Sequence, residues 1–235
     1  MLCKIADLMI EIPATGDMRS RCREYLSNMN VSADITIRAD RYQTQQWQGL
    51  TPEMAIYLES GFQFYGNLVR FDGMLLHASA VALNGRAYLF SGPSGVGKST
   101  HTRLWQRVFG KEAQIFNDDK PALRRGEDCW YAYGTPWCGK DGINQNKKVP
   151  LGGICFLKRG EENRIFRLNA EQALPRVLSQ TMYKFQDPRM LDRMLKNVEK
   201  LVCEIPIFEL ENLPVPEAAR LSYETMRKEA EEAGL

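Results

Sequence analysis

Apolar positions come in short runs over the first third of the chain, with charged or turn-forming residues between them. Residues 3–12 read as one strand. Met18, Cys22, Tyr25 and Leu26 fall near one face at helical spacing, which predicts a short helix from Met18 to Asn28. In residues 33–39, Ile35 and Ile37 alternate with polar residues, the pattern of a half-buried strand. Thr51, Pro52 and Glu53 supply an N-cap, a proline at the first helical position and an acid in the first turn, so a helix is expected over residues 51–70.

From Gly73 onward the runs are longer and more apolar. Two strands flank Asn84-Gly85, the strongest short hairpin signal, and the second of them, Ala87 to Phe90, runs into a glycine-rich loop. A helix is expected over Ser99 to Phe109, then a strand that ends in Asp118 and Asp119. Residues 149–158 form a buried strand. Residues 169–185 and 187–204 read as helices, the first kinked near Pro175; residues 205–211 form a late strand, and a prolyl turn and charged helix follow to Leu235. Residues 133–153 show no period and are long for a connection, which predicts a functional or mobile loop. This order predicts an α/β chain with a mixed sheet and a soft boundary near Arg70: a small α+β segment over 1–70, a candidate for substrate docking, and a larger domain over 71–235.

The composition is that of a globular chain with ample material for a core: 235 residues, 44% hydrophobic and 26% charged. Net charge is +2, from 31 basic against 29 acidic residues, so no global basic field makes nucleic acid a default partner. Six cysteines without a C-x-x-C pair, and only two histidines, argue against a zinc site or a disulfide framework. No run approaches the ~20 apolar residues of a membrane span, and the start does not read as a signal peptide. A cytoplasmic protein without a membrane partner is the expectation.

Chemistry enters at Gly92-Pro93-Ser94-Gly95-Val96-Gly97-Lys98-Ser99, which matches G-x-x-x-x-G-K-[ST] at every fixed position. Backbone N–H groups of Gly92 to Thr100 turn around phosphate oxygens, Lys98 reaches the outer phosphates, and the Ser99 hydroxyl ligates Mg²⁺. The helix after the loop adds its positive end. One helix and one strand later, Asp118 and Asp119 stand where a cation ligand and a base are needed. Two adjacent carboxylates raise one another's pKa, with Lys120 as a counterweight. His77, on the first hairpin strand, is either a core histidine or a neighbour of the phosphates. Lys140, Lys147 and Lys148 are phosphate contacts or solvated charges; Trp137 and Cys138 are open to a peptide-binding role. Arg103 reads as a surface residue, and His101 and Trp105 carry no chemistry.

The His77–phosphate loop–Asp118-Asp119 order, over about Gly73 to Glu211, resembles the catalytic domain of HPr kinase/phosphorylase and the shorter HPr-kinase-related serine kinases. The resemblance implies an α/β fold with a P-loop nucleotide-binding core of the HPr kinase / phosphoenolpyruvate carboxykinase type. It implies ATP and Mg²⁺ as cofactors, with Lys98, His77, Asp118 and Asp119 catalytic and Ser99 and Asp119 on the metal. Residues 134–140 stand where HPr kinase carries an Arg-Gly-Leu-Gly stretch linked to phosphorolysis; this chain lacks it. The first ~70 residues differ from that family's N-terminal domain, which points away from HPr and towards a serine of another peptide or small protein. The alternatives are a free hydroxyl metabolite as acceptor, or a non-catalytic ATP-binding module in a peptide-maturation complex. Homo-oligomer formation stays open.

Overall fold

The computed structural model describes residues 1–38, 48–181, 185 and 187–235. The expected first strand is a hairpin: β1 (Leu2–Ile5) pairs antiparallel with β2 (Leu8–Glu11). Ala6 and Asp7, at φ 51° and 60°, make the left-handed two-residue turn that suits strand twist. The expected helix at Met18 shrinks to α1 (Gly16–Arg21) and a 3-10 turn at Arg23–Tyr25. Two residues of the Ile35 run, β3 (Ile35–Thr36), join this small sheet parallel to β2. Helix α2 (Pro52–Leu68) begins where the capping residues require, with Thr51 Oγ1 accepting from the Met54 amide at 3.3 Å.

The large sheet has nine strands among the described residues. In chain order the next elements are β4 (Gly73–Leu75), β5 (Ala78–Leu83), β6 (Arg86–Ser91), α3 (Lys98–Phe109), β7 (Gln114–Asp119), β8 (Ala122–Arg125) and β9 (Trp130–Tyr133). After them come β10 (Lys148–Arg159), β11 (Arg164–Arg167), α4 (Ala170–Ser179), α5 (Pro188–Glu204), β12 (Ile207–Asn212) and α6 (Pro216–Glu232). The hairpin at Asn84 and Gly85 forms, with both residues at positive φ. β7 pairs with β5; β6 lies between β5 and β10. β10 is parallel to β6 and β12, and its first residues also pair with β9, which joins β8 and β4 to the sheet. The mixed sheet of an α/β chain is therefore present. Pro175 sits inside α4, which ends at Ser179 instead of reaching Phe185; residues 182–184 of that expectation lie outside the described residues.

Alternation along the central strands sorts two layers of core. Leu89, Ile154 and Phe156 face Val177 of α4 and Met194, Val198 and Leu201 of α5. Tyr88, Phe90, Cys155 and Leu157 face Leu104 and Trp105 of α3 and Ala219 and Met226 of α6. Strands buried on both faces need this near-continuous apolar run. A third cluster joins β1, β2 and β3 to Phe64, Tyr65 and Leu68 of α2 and to Ala122, Tyr133 and Trp137 of the larger region. No helix among the described residues is long and apolar enough to cross a membrane.

Candidate functional site

Strand register builds the site. Ala78 pairs with Ser91 on one side and with Asp119 on the other, so Ser91, Ala78 and Asp119 lie in one row across β6, β5 and β7. β5 is antiparallel to both neighbours. It therefore starts at the edge where they end. That edge receives the residue before β5, His77, the loop after β6 and the acids that close β7.

The loop turns through Gly92, Gly95 and Gly97 at φ 135°, 78° and 114°, values that β-carbon-bearing residues rarely adopt. Lys98 folds back over it and donates to the carbonyl oxygens of Gly92 at 2.9 Å and Pro93 at 3.2 Å. Burial pulls the Lys98 pKa down, while the charges of Asp119 and Asp118 act against that. Arg159, just past the row at the end of β10, donates to the Gly95 carbonyl at 2.7 Å; nothing in its local sequence marks it.

The two acids have different partners. Ser99 Oγ donates to Asp118 Oδ1 at 3.0 Å. Asp119 Oδ1 lies 2.8 Å from His77 Nε2, and its other oxygen accepts from Lys120 Nζ. Ser99 and Asp119 are the expected cation ligands, with the division of roles between the two acids open; the Ser99 hydroxyl lies beside Asp118. The surroundings of Asp119 overturn the expectation of a raised carboxyl pKa. Burial pushes Asp119 up, but His77 and Lys120 outweigh it and hold the group well below the usual carboxylate range. Asp119 sits at φ 95°, a strained value for a residue with a β-carbon. His77 is in the site and not in the core: its Nδ1 lies 3.2 Å from Gln180 Oε1, and its amide donates to the Gln180 carbonyl at 2.8 Å.

Of the functional or mobile loop expected over residues 133–153, the part after β9 is packed and not mobile. The Asp118 amide donates to the Ile143 carbonyl at 3.2 Å, and the Gln145 amide to the Phe116 carbonyl at 2.8 Å, so residues 143–145 cover the free edge of β7. Trp137 stacks on Phe64 with ring centroids 4.7 Å apart and donates Nε1–H to Ser60 Oγ at 3.0 Å. Trp137 and Cys138 are buried, which excludes them from a peptide-binding surface. Asn117, fully buried, donates to the Thr135 carbonyl at 2.9 Å and accepts from the Lys120 amide at 3.0 Å. It thereby fixes the turn that carries Lys120. Lys147 bonds to Gln114, and Lys148 pairs with Asp7 at 2.8 Å, so neither meets phosphate in this site. Lys140 is exposed. Arg103 is on the surface, as expected, paired with Asp141. His101 and Trp105 are buried in the α3–α6 contact, where burial pushes the His101 imidazole down to about 3.

Residues 52–213 match the family described as SynChlorMet cassette protein ScmC. The chain belongs to this family. The ScmC match begins at α2, ends one residue past β12 and contains every residue of the site above; β1, β2, β3 and α6 lie outside it. No curated protein matches the chain. Among solved structures, the Hpr(Ser) kinase/phosphatase from Coxiella burnetii aligns with this ScmC-family chain at a TM-score of 0.34 and 12% identity, over 67% of this chain and 95% of that one.

A fit to Mg²⁺ follows from donor chemistry. Ser99 Oγ and Asp118 Oδ1 are hard oxygens in mutual contact, the donor type that Mg²⁺ takes alongside water and substrate phosphates. Among the described residues, no group of three or more His, Cys, Asp or Glu forms a site by itself.

Proposed function

We propose that this chain transfers the γ-phosphoryl group of ATP to a hydroxyl, that of a serine in a peptide or small protein from the same cassette. The observation that carries the reading is the row Ser91–Ala78–Asp119. It sets the glycine-rich loop, a carboxylate touching the loop serine and a second, histidine-held carboxylate along one edge. The core resembles that of HPr kinase and phosphoenolpyruvate carboxykinase in the motifs and their order.

Each residue then has a task. The loop amides and Lys98 hold the phosphates; the Lys98 ammonium exchanges the carbonyls of Gly92 and Pro93 for phosphate oxygens. Ser99 and Asp118 would hold Mg²⁺, which would supply charge neutralisation at the phosphate oxygens. Asp119 is ionised at neutral pH, so it accepts a hydrogen bond from the substrate hydroxyl and orients it. A carboxylate this acidic is a weak standing base. It takes the proton as the oxygen–phosphorus bond forms and the bond to ADP breaks, when the hydroxyl becomes acidic. His77, steadied by Gln180, keeps Asp119 turned to the acceptor.

The test is incubation of the full chain with γ-labelled ATP and the other cassette products, with phosphate read by mass. Lys98→Ala should abolish transfer. Asp119→Asn should lower it by about 10²–10⁴ with nucleotide binding largely intact. Full activity in both Asp118→Asn and Asp119→Asn would show the assignment to be wrong. ATP binding without turnover on any peptide or small hydroxyl acceptor would favour a binding module instead.

A further inference from the structure

A second polar cleft lies at the opposite end of β6 from the phosphate loop. It has a volume of about 330 Å³ and is lined by Asn84, Arg86 and Tyr88 of the β5–β6 hairpin and by Tyr223, Arg227 and Glu231 of α6. That volume falls in the range of small-molecule sites. Its polar groups are unevenly satisfied. The side chain of half-buried Arg86 has no ion-pair or hydrogen-bond partner among the described residues. Tyr88 is 1% exposed, and among the described residues its hydroxyl has no hydrogen-bond partner. The charges that act on that hydroxyl are those of the cleft: Tyr223, Arg86, Arg227 and Glu231. Burial, then Tyr223, pushes the Tyr88 phenol up to about 12, so it remains a donor at neutral pH.

Both groups open onto the cleft, so a ligand there would meet donors that otherwise meet only water. The Tyr223 hydroxyl already accepts from Asn84 Nδ2 at 2.7 Å, which leaves its own O–H to donate. Arg227 is bonded to Glu231 at 2.6 Å, but the pair is exposed, 44% and 58%, and such pairs break at little cost. Two guanidinium groups face one carboxylate, so the cleft is positive. We propose that it binds a small anion that presents a carboxylate or a phosphate to Arg86, Tyr88 and Tyr223. Arg86 gives the planar fork that suits either group. The two phenols supply single donors. Tyr88 and Tyr223 also pack on Trp105 of α3, with ring centroids 5.1 and 5.5 Å away. This site stands independently of the kinase reading.

Isothermal titration of the full chain with inorganic phosphate, and separately with succinate, tests it and tells the two ligand groups apart. At least one probe should bind. Arg86→Gln should weaken that binding about ten-fold, as loss of a charged hydrogen-bonding partner does, and Tyr223→Phe should weaken it by a smaller factor. In the Lys98→Ala chain, where the loop's own hold on phosphate is weakened, the Arg86-dependent binding should remain. Failure of both probes, or binding to the Lys98→Ala chain that survives a further Arg86→Gln, overturns the proposal. So does binding lost in Lys98→Ala alone, which assigns the anion to the phosphate loop. A thermal melt accompanies each variant; if Arg86→Gln does not fold, Arg227→Gln, an exposed position on α6, takes its place with the same expected weakening.

Discussion

Asp119 concentrates the site's electrostatics. Its pKa is depressed on folding against an ordinary aspartate value of about 4. The stabilisation it receives from His77 and Lys120 is therefore complete above that value, and is lost as pH falls through the lower folded value. Unfolding temperatures of the native chain and of Asp119→Asn should differ most near pH 7 and converge towards pH 2. His77→Ala should shrink the same gap from the other partner's side. Arg159 offers a second residue-scale test. A guanidinium already bonded to the loop carbonyl of Gly95 sits close enough to exchange that bond for a phosphate oxygen. On the proposed function, Arg159→Ala should therefore weaken ATP binding by about ten-fold or more in a titration, from the loss of about 1.5–3 kcal/mol for a hydrogen bond to a charged group. The glycine-rich loop, Asp118 and Asp119 were visible as types at a spacing. Gln180, Asn117 and Arg159 were not. Each acts through a backbone group or side chain brought close only by the sheet, and an isolated Gln, Asn or Arg carries no local mark of that role.

At the scale of elements, segments that obey a short-range rule were legible. Thr51-Pro52 starts α2, Asn84-Gly85 closes the β5–β6 hairpin, and the strand–loop–helix around Lys98 is as its glycines require. Elements held by tertiary partners were not. β8, Ala-Leu-Arg-Arg, and β11, Arg-Ile-Phe-Arg, are short and half charged, and pairing with neighbouring strands makes them strands. The Ala6-Asp7 turn lacks a glycine, so it read as strand interior. The stretch after β9 has no period because it packs as an irregular strap along β7, held by backbone bonds and by Trp137. Trp137→Ala removes the stacked ring from Phe64 and should lower stability by about 3–5 kcal/mol in denaturant unfolding. Asn117→Ala leaves the Thr135 carbonyl and the Lys120 amide without their side-chain partner. On the proposed function it should reduce transfer more than nucleotide binding, because Lys120 is the group it positions.

At the scale of the whole molecule, residues outside the ScmC match still share its core. β1, β2 and β3 cover Phe64, Tyr65, Tyr133 and Trp137. A chain cut to residues 52–235 should expose that apolar face, bind a hydrophobic dye and unfold with lower cooperativity in calorimetry. The layered α/β arrangement was readable from the order of apolar runs, whereas the seam between the N-terminal segment and the large sheet was not, since its contacts join residues far apart in the chain. The row at the site edge has the opposite character. Ser91, Ala78 and Asp119 belong to one continuous stretch that runs through a tight hairpin and a single helix. Loop closure over such short separations is entropically cheap. The parallel pairing of β10 with β12 must wait for two intervening helices. In pulse-labelled hydrogen exchange during refolding, amides of β5, β6 and β7 should become protected together and ahead of those of β12. The chemical edge of this protein would then be a place where folding begins, assembled before the rest of the sheet arrives to enclose it.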